Sequence, residues 1–443
     1  MQRFSGRIDK ADRAFERGQG SRRENEMAQL TDDCFAFGGE LMRVADALAL
    51  IAERVEPAVG VEEIRLAEAD GRVLGADIAS PVALPPFDNS AVDGYAVRQA
   101  DLSPESPTTL PLRGRVAAGG SAAGLSAEGA AIRVFTGAPL PADVDTIFMQ
   151  EDVTATGDTV TLPPGLERGA NLRHTGEDVP RGAALLPAGR RLRPQDIALA
   201  AAVGLTSLAV RQKLKVALFS TGDELVEPGA PLRDGAVNDS NRALIGAMLR
   251  RLGAELSDLG ILRDDRRELS DRLNAAARGH NLILTSGGVS TGDEDHVKAA
   301  VERVGKLVFW RLGIKPGRPV AMGVIDGVPF AGLPGNPVAV FVTFCHVVRP
   351  LLARLAGMQV EELARMPVRA AFSHRKRPGR REYVRVSLRA AADGKLDAHK
   401  HPREGAGILT SLTETQGLVE LPEEVETVCE GDEVGFLAYS AMW

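Results

Sequence analysis

The apolar positions change their period along the chain, and each change marks a different kind of element. Leu41, Val44, Ala45, Leu48 and Ile51 recur at helical spacing across 40–56, and Pro57 ends that helix. A shorter helical or turn segment follows at 66–71. Between 80 and 170 the pattern breaks into brief β-type runs at 94–97, 131–135 and 146–149, set in Pro- and Gly-rich chain. This predicts a small β domain. The segment 194–203 reads as a helix that starts on Pro194 and stops at Gly204. The first mixed block is therefore expected to be discontinuous, with the β domain inserted into it.

From 213 the pattern becomes regular. A strand is expected at 214–219. Asp239 then caps a helix carrying Leu244, Met248, Leu249 and Leu252, which Gly253 closes. A second strand covers 256–262, and Asp264 with Asp265 caps the helix that runs on to Gly279. A third strand covers 282–285, and Val297, Ala300, Val301 and Val304 stripe the next helix. Alternating strands and helices predict a doubly wound parallel sheet with helices on both faces. Such sheets bind ligands beyond the carboxyl ends of their strands. From about 365 the alternation is strand-like again, at 368–372, 383–388 and 417–421, and a small C-terminal β-barrel is expected.

The expected organisation is multidomain α/β and β. It comprises a disordered or extended segment 1–39, a mixed N-terminal domain from 40–85 plus 170–212, an inserted β domain 86–169, a central α/β domain 213–364, and a barrel 365–443. A length of 443 residues suits two to four domains. Residues 1–26 are highly charged, with no apolar core of a signal peptide, and read as disordered or as an extension ahead of a start at Met27.

Charge narrows the partners. A net charge of -7 offers no basic field to a nucleic acid or an anionic membrane, although a small anion could still enter a locally basic pocket. No apolar run is expected to reach the ~18 residues of a membrane span. Cys34, Cys345 and Cys429 lie far apart, forming neither a disulfide framework nor a metal-ligand spacing, so a reducing, cytoplasmic setting is expected.

The candidate chemistry lies where the strands end. After the first strand come Ser220, Thr221, Gly222, Asp223 and Glu224. After the second come Arg263, Asp264 and Asp265. After the third come Ser286, Gly287 and Gly288, followed by Asp293, Glu294 and Asp295 opening a helix. Paired glycines let backbone amides approach a ligand, and a helix start offers free N–H groups to a phosphate. Arg311, Lys315 and Arg318 supply cations. The turn from Pro334 to Pro337 leads into an apolar helix, with Asn336 placed as N-cap and Pro337 as its first residue. Taken singly, each feature has a plain explanation as a cap, a tight turn or solvated charge. Converging on one face, the carboxylates would repel one another unless a Mg²⁺ sits among them, and that ion could bridge phosphate oxygens. The favoured class is phosphate or phosphoanhydride chemistry on a nucleotide-like ligand. In the β domain, Asp88 and Asp93 flank a turn, for which an Asx turn explains Asp88. Thr136 ends a strand, and Arg173 and Asp178 share a loop.

In order along the chain, FDNSAVDGYA at 87–96, TGAPLP at 136–141, MQED at 149–152, NLRHTGED at 171–178, STGDEL at 220–225, SGGVSTGDED at 286–295, IKPGRP at 314–319 and GLPGNP at 332–337 resemble the molybdopterin molybdenumtransferase family. These are the MoeA-type molybdenum insertases, which include the E domain of gephyrin, and the resemblance runs from about 40 to 443. It implies an elongated four-domain protomer with an elongated N-terminal domain. It also implies a homodimer whose cleft is shared between the α/β domain of one copy and the β domain of the other. The implied reaction inserts molybdenum, supplied as molybdate, into adenylated molybdopterin and releases AMP with Mg²⁺ present. By position in the motifs, Asp93, Thr136, Asp178, Glu224, Asp264 and Asp295 resemble the family's catalytic acids and hydroxyl, with Glu224 and Asp295 toward the metal. Arg173, Ser220, Thr221, Gly222, Ser286, Gly287, Gly288, Arg311, Lys315, Arg318, Pro334 and Pro337 resemble its substrate-binding positions. Arg311 and Arg318 stand where the family often has Lys, which exchanges a point charge for a planar fork. An upstream adenylyltransferase is a partner the resemblance allows, while the sequence itself does not name the donor of the pterin. Two other readings are an adenylyltransferase built on the same α/β domain and a pterin-binding scaffold without catalysis.

Overall fold

The computed structural model describes residues 42–263, 266–287, 296–317, 319–360 and 362–443. Its centre is a six-stranded sheet. In spatial order the strands are Glu255–Leu262, Lys215–Thr221, Leu282–Ser286, Val328–Leu333, Pro319–Ile325 and Gly305–Arg311. The first four of these run parallel. Both faces of the sheet are buried, as parallel strands with helical crossovers require. Along the strand Lys215–Thr221, Val216 and Leu218 enter one core with Ile51, Leu249, Trp310 and Leu351, while Ala217 and Phe219 enter the other with Leu269, Leu273, Val297 and Phe330.

Two points differ from the sequence reading. The sheet is mixed, because Pro319–Ile325 runs antiparallel to both of its neighbours. The connection to Val328–Leu333 is a two-residue turn of Asp326 and Gly327, with φ of 48° and 76°, and a turn that short can join only antiparallel strands. The second difference concerns the apolar run after Pro337. The 19-residue helix Pro337–Leu355, interrupted by a π-helical stretch at Phe344–Val348, has a mean hydropathy of 1.6 and is long enough to cross a membrane. It passes that test because it is a core helix, with 89% of its apolar window buried inside the protein.

The chain before the sheet forms a helix, Val44–Arg54, and a strand, Val61–Arg65, that pairs with Ser207–Arg211 and carries the chain out and back. The sequence pattern did not mark Val61–Arg65 as a strand. Between these pairing partners lies a second six-stranded sheet, ordered Thr146–Met149, Gly94–Val97, Ala131–Val134, Thr108–Val116, Thr159–Leu162 and Thr154–Thr156. After the core helix, Arg381–Ala390, Leu396–Lys400, Met366–Ala370, Glu433–Ala438 and Gly417–Leu421 close on themselves as a five-stranded barrel. The barrel is tied to the α/β domain by Ile314–Lys315, which pairs in parallel with the start of Arg381–Ala390. His346 of the core helix also stacks on Tyr383 at 4.1 Å.

Candidate functional site

Strand register builds the site. Ser220 lies opposite Ser286, and Ser286 lies opposite Leu333. The three turns that follow therefore start side by side at the carboxyl edge, where the strand order reverses. Thr221, Gly222, Asp223, Glu224, Gly287 and Pro334 line a cavity of about 780 Å³ there. Gly287, at φ 84°, has no room for a side chain: a Cβ would lie 2.4 Å from the Thr221 carbonyl oxygen. At Gly222 a Cβ would collide with the Glu224 carboxylate at 2.7 Å, so the bare backbone is what lets that acid fold over the turn.

Beneath these turns the hydroxyls of Ser220, Thr221 and Thr285 are buried and find no hydrogen-bond partner among the described residues. A buried hydroxyl without a partner is costly, and several at one strand edge point to groups supplied by something else. The helix after Pro334 begins as its sequence suggests, with Asn336 at the cap position and Pro337 in its first turn. The Asn336 side chain makes no cap bond. One free N–H of that turn, Val338, donates instead to the Ala406 carbonyl of the barrel at 3.0 Å.

The opposite wall comes from the barrel, and the sequence reading did not foresee it. His374, Glu382, Tyr383, Arg385, Lys400, His401 and Glu404 all line the cavity, facing Lys315. Lys315 Nζ donates to Glu382 Oε2 at 3.1 Å. Arg385 is 6% exposed, and its Nε finds no partner among the described residues. Burial lowers the pKa of its guanidinium from the ordinary value. A guanidinium placed this way is a strong attractor for an oxyanion. The available signal was slight: Glu382 falls in phase with the apolar Val384 and Val386, whereas Arg385 keeps the polar phase of the alternation and is buried all the same. The pairing of Ile314–Lys315 with Arg381 and Glu382 is what brings them to this crevice.

Other expected residues fall elsewhere. Ser220 and Ser286 are buried behind the lining, Pro337 is not part of it, and Arg311 is exposed at the end of an edge strand, opposite Pro319 of the lining but outside it. Asp264, Gly288, Asp295 and Arg318 lie outside the described residues, as do Asp265, Asp293 and Glu294. Among the described residues no group of three His, Cys, Asp or Glu side chains is placed to hold a metal ion.

The β-domain candidates form a separate cluster. Thr136 donates to Asp93 Oδ1 through both its N–H and its hydroxyl, each at 2.8 Å. The backbone bond, then the hydroxyl bond, lowers the Asp93 pKa. Asp88 is held the same way, by the N–H of Thr175 at 2.7 Å and its hydroxyl at 2.8 Å, so this acid clamps a second loop. Arg173 sits opposite Asn89 in a short antiparallel pair and donates to Glu177 at 2.8 Å. Asp178 is exposed on the same loop. None of these residues lines the cavity. A second cavity, of about 550 Å³, is rich in arginine, and two of its guanidinium groups bond backbone carbonyls. Arg72 donates to the Arg211 carbonyl and Arg191 to the Arg251 carbonyl.

Comparisons with known proteins agree with this layout. Residues 42–204 match the family described as MoeA N-terminal region (domain I and II). Residues 217–354 match a probable molybdopterin binding domain, and 367–439 match the MoeA C-terminal region (domain IV). The chain is 36% identical over 396 residues to the molybdopterin molybdenumtransferase of Haemophilus influenzae, covering 89% of this chain and 98% of that one. It is 35% identical over 395 residues to the enzyme of the same name from Synechococcus elongatus, covering 87% and 96%. A molybdopterin biosynthesis MoeA protein from Pyrococcus horikoshii OT3, a solved structure, superposes with a TM-score of 0.77 at 30% identity, covering 90% of this chain and 100% of that one. The chain belongs to the molybdopterin molybdenumtransferase family of enzymes, which serves molybdenum cofactor biosynthesis.

Proposed function

We propose that the crevice between the α/β strand ends and the barrel binds adenylated molybdopterin and molybdate, inserts molybdenum into the pterin dithiolene and releases AMP. The observation that carries this reading is the crevice itself. One wall has Gly-rich turns above hydroxyls that are buried with no partner among the described residues, and the other has Lys315 and a buried Arg385 whose Nε also finds none among them. The turns suit the phosphate of an adenylate, since backbone N–H groups can approach it closely. The two cations suit a dianionic oxyanion. Fixed donors of this kind assist charge development without rearranging during the reaction.

Mg²⁺ belongs to the proposal through Glu224 and Asp295. Glu224 is a hard-oxygen donor on the crevice rim, of the type this ion prefers, and when bound the ion would neutralise phosphate charge. The Asp93–Thr136 and Arg173–Asp178 loops complete the site from a second copy of the chain, because within one chain they do not reach the cavity lining. The unpaired thiols of Cys345 and Cys429 fit a reducing cytoplasm. The barrel's share of the lining favours an insertase over an adenylyltransferase confined to the α/β domain.

The test is AMP release from adenylated molybdopterin with Mg²⁺, with and without molybdate. Release that requires molybdate is expected. Tight pterin binding without release would favour a scaffold, and no binding would overturn the reading.

A further inference from the structure

We propose that Glu382 is a positioning residue of this crevice: it holds the Lys315 ammonium in place, and His374 and Lys400 in turn fix Glu382. The inference rests on the insertase reading for what Lys315 meets, while the contacts that support it stand apart from that reading.

The arrangement begins in the backbone. Lys315 leaves the α/β domain on a two-residue strand whose register sets it opposite Glu382 of the barrel. Lys315 Nζ donates to Glu382 Oε2 at 3.1 Å, and His374 Nε2 lies 3.0 Å from the same oxygen. The Lys315 side chain is 49% exposed, whereas that of Glu382 is 3% exposed. A carboxylate buried to that degree needs several donors or cations around it. Arg380, 3.5 Å from Oε1, places a further cation beside it.

His374 has a defined role in this chain of contacts. Its Nδ1 lies 3.1 Å from Lys400 Nζ. An ammonium only donates, so Nδ1 accepts and the ring proton sits on Nε2, where it donates to Glu382. The neutral ring adds a donor without adding a positive charge. Lys400 is itself tethered by Glu404, whose pKa the Lys400 bond lowers. The result is a line, Lys315–Glu382–His374–Lys400–Glu404, with its long side chains ordered before any substrate arrives. Ordering a lysine costs conformational entropy, and here the protein meets that cost in advance.

The sign of the expected effect separates positioning from simple attraction. Removing the Glu382 charge leaves the crevice more positive, so an oxyanion should bind no more weakly on electrostatic grounds. What is lost is the location of the ammonium, and misplacement acts on the chemical step.

The experiment uses the full-length protein as wild type, Glu382→Gln, His374→Leu and His374→Gln, the last of which keeps a donor near the Nε2 position. Two quantities are measured. One is kcat for molybdate-dependent AMP release alongside the calorimetric Kd of molybdate. The other is the acetylation rate of Lys315 by an N-hydroxysuccinimide ester, read by peptide mass spectrometry relative to the exposed Lys213, which needs no turnover. For Glu382→Gln and His374→Leu, kcat should fall about tenfold with molybdate Kd unchanged or tighter, and Lys315 should acetylate at least about threefold faster. His374→Gln should lie closer to wild type in both readouts. An unchanged acetylation rate, a molybdate Kd that weakens in step with kcat, or equal behaviour of the two His374 variants would overturn the proposal. If wild type releases no AMP, the insertase reading fails and the acetylation ratios still decide whether Glu382 holds Lys315. If Glu382→Gln does not fold, the His374 pair decides.

Discussion

The crevice and the β-domain loops are built from the same residue classes, acids, hydroxyls and cations, yet the hydroxyls under the crevice and the acids of the loops are in opposite states. At the crevice, the hydroxyls of Ser220, Thr221 and Thr285 beneath the turns and the Nε of Arg385 in the wall are buried with no partner among the described residues. In the β domain, Asp93 and Asp88 are closed off by Thr136 and Thr175, and Glu177 by Arg173, on loops that face solvent. Beside a cavity, buried groups with unmet hydrogen-bonding capacity leave donors and acceptors for a ligand, an ion or water. Exposure with that capacity met marks loops held in shape for something that docks against them. On the proposed reading, the two regions are halves of one site from two copies, one receiving the ligand and the other presenting a fixed surface.

The largest expected effect tests that pairing directly. Asp93→Ala should disable the β-domain half and Lys315→Ala the crevice half, each leaving a nearly inactive protein. Mixed by partial unfolding and refolding, the two would form hybrids in which one of the two sites is intact, and about a quarter of wild-type AMP release should return. Failure of the mixture to exceed either parent would break the comparison and place a complete site within one chain.

Lys315→Ala alone sharpens the crevice side. Substrate affinity should fall about 10- to 100-fold, the range for a charge-assisted contact. Thermal stability should fall by no more than about 3 °C, because Glu382 keeps His374 and Arg380 beside it. Equal affinity in wild type and variant, by calorimetry, would remove Lys315 from the site.

How far the chain's own pattern revealed these two regions follows from what periodicity can carry. The strand-end motifs were legible because glycine, hydroxyl and acid cluster within a few residues of each turn, as at 220–224 and 286–287. The existence of the sheet and its ligand-facing edge followed from alternation. Its mixed character did not, because the segment 305–333 holds three of the sheet's strands with no helix between them among the described residues. Glu382, Arg385, His374 and Lys400 were not legible either. They belong to a different domain from the strand-end turns, far along the chain from Lys315, and a single two-residue pairing brings them to it. No local spacing encodes such a contact.

Paired glycine substitutions compare the two regions on stability. Gly287→Ala forces a side chain onto φ 84° and against the Thr221 carbonyl, and should cost about 2–4 kcal/mol. Gly137→Ala, in the β-domain turn after Thr136, meets only Ala118 Cβ at 3.9 Å. It should cost about 1 kcal/mol, for its φ of 78° alone. Denaturant melts of the two variants measure the difference. Similar losses would mean the crevice edge is no more crowded than the exposed loop.

The smallest effect concerns the closed state of the β-domain loop. Thr136→Val keeps the backbone N–H that donates to Asp93 and removes the hydroxyl that does the same. Those bonds lower the Asp93 pKa below its usual 3.8. A carboxylate with a depressed pKa stabilises the fold above its unfolded value and loses that contribution as pH falls through its folded value. The variant should therefore melt below wild type at neutral pH, with the gap closing below about pH 4. A gap that persists unchanged into acid would show that the hydroxyl does not act through the Asp93 charge. The loop's shape would then rest on the backbone bond alone, and the contrast with the crevice would lie in burial rather than in how its acids are held.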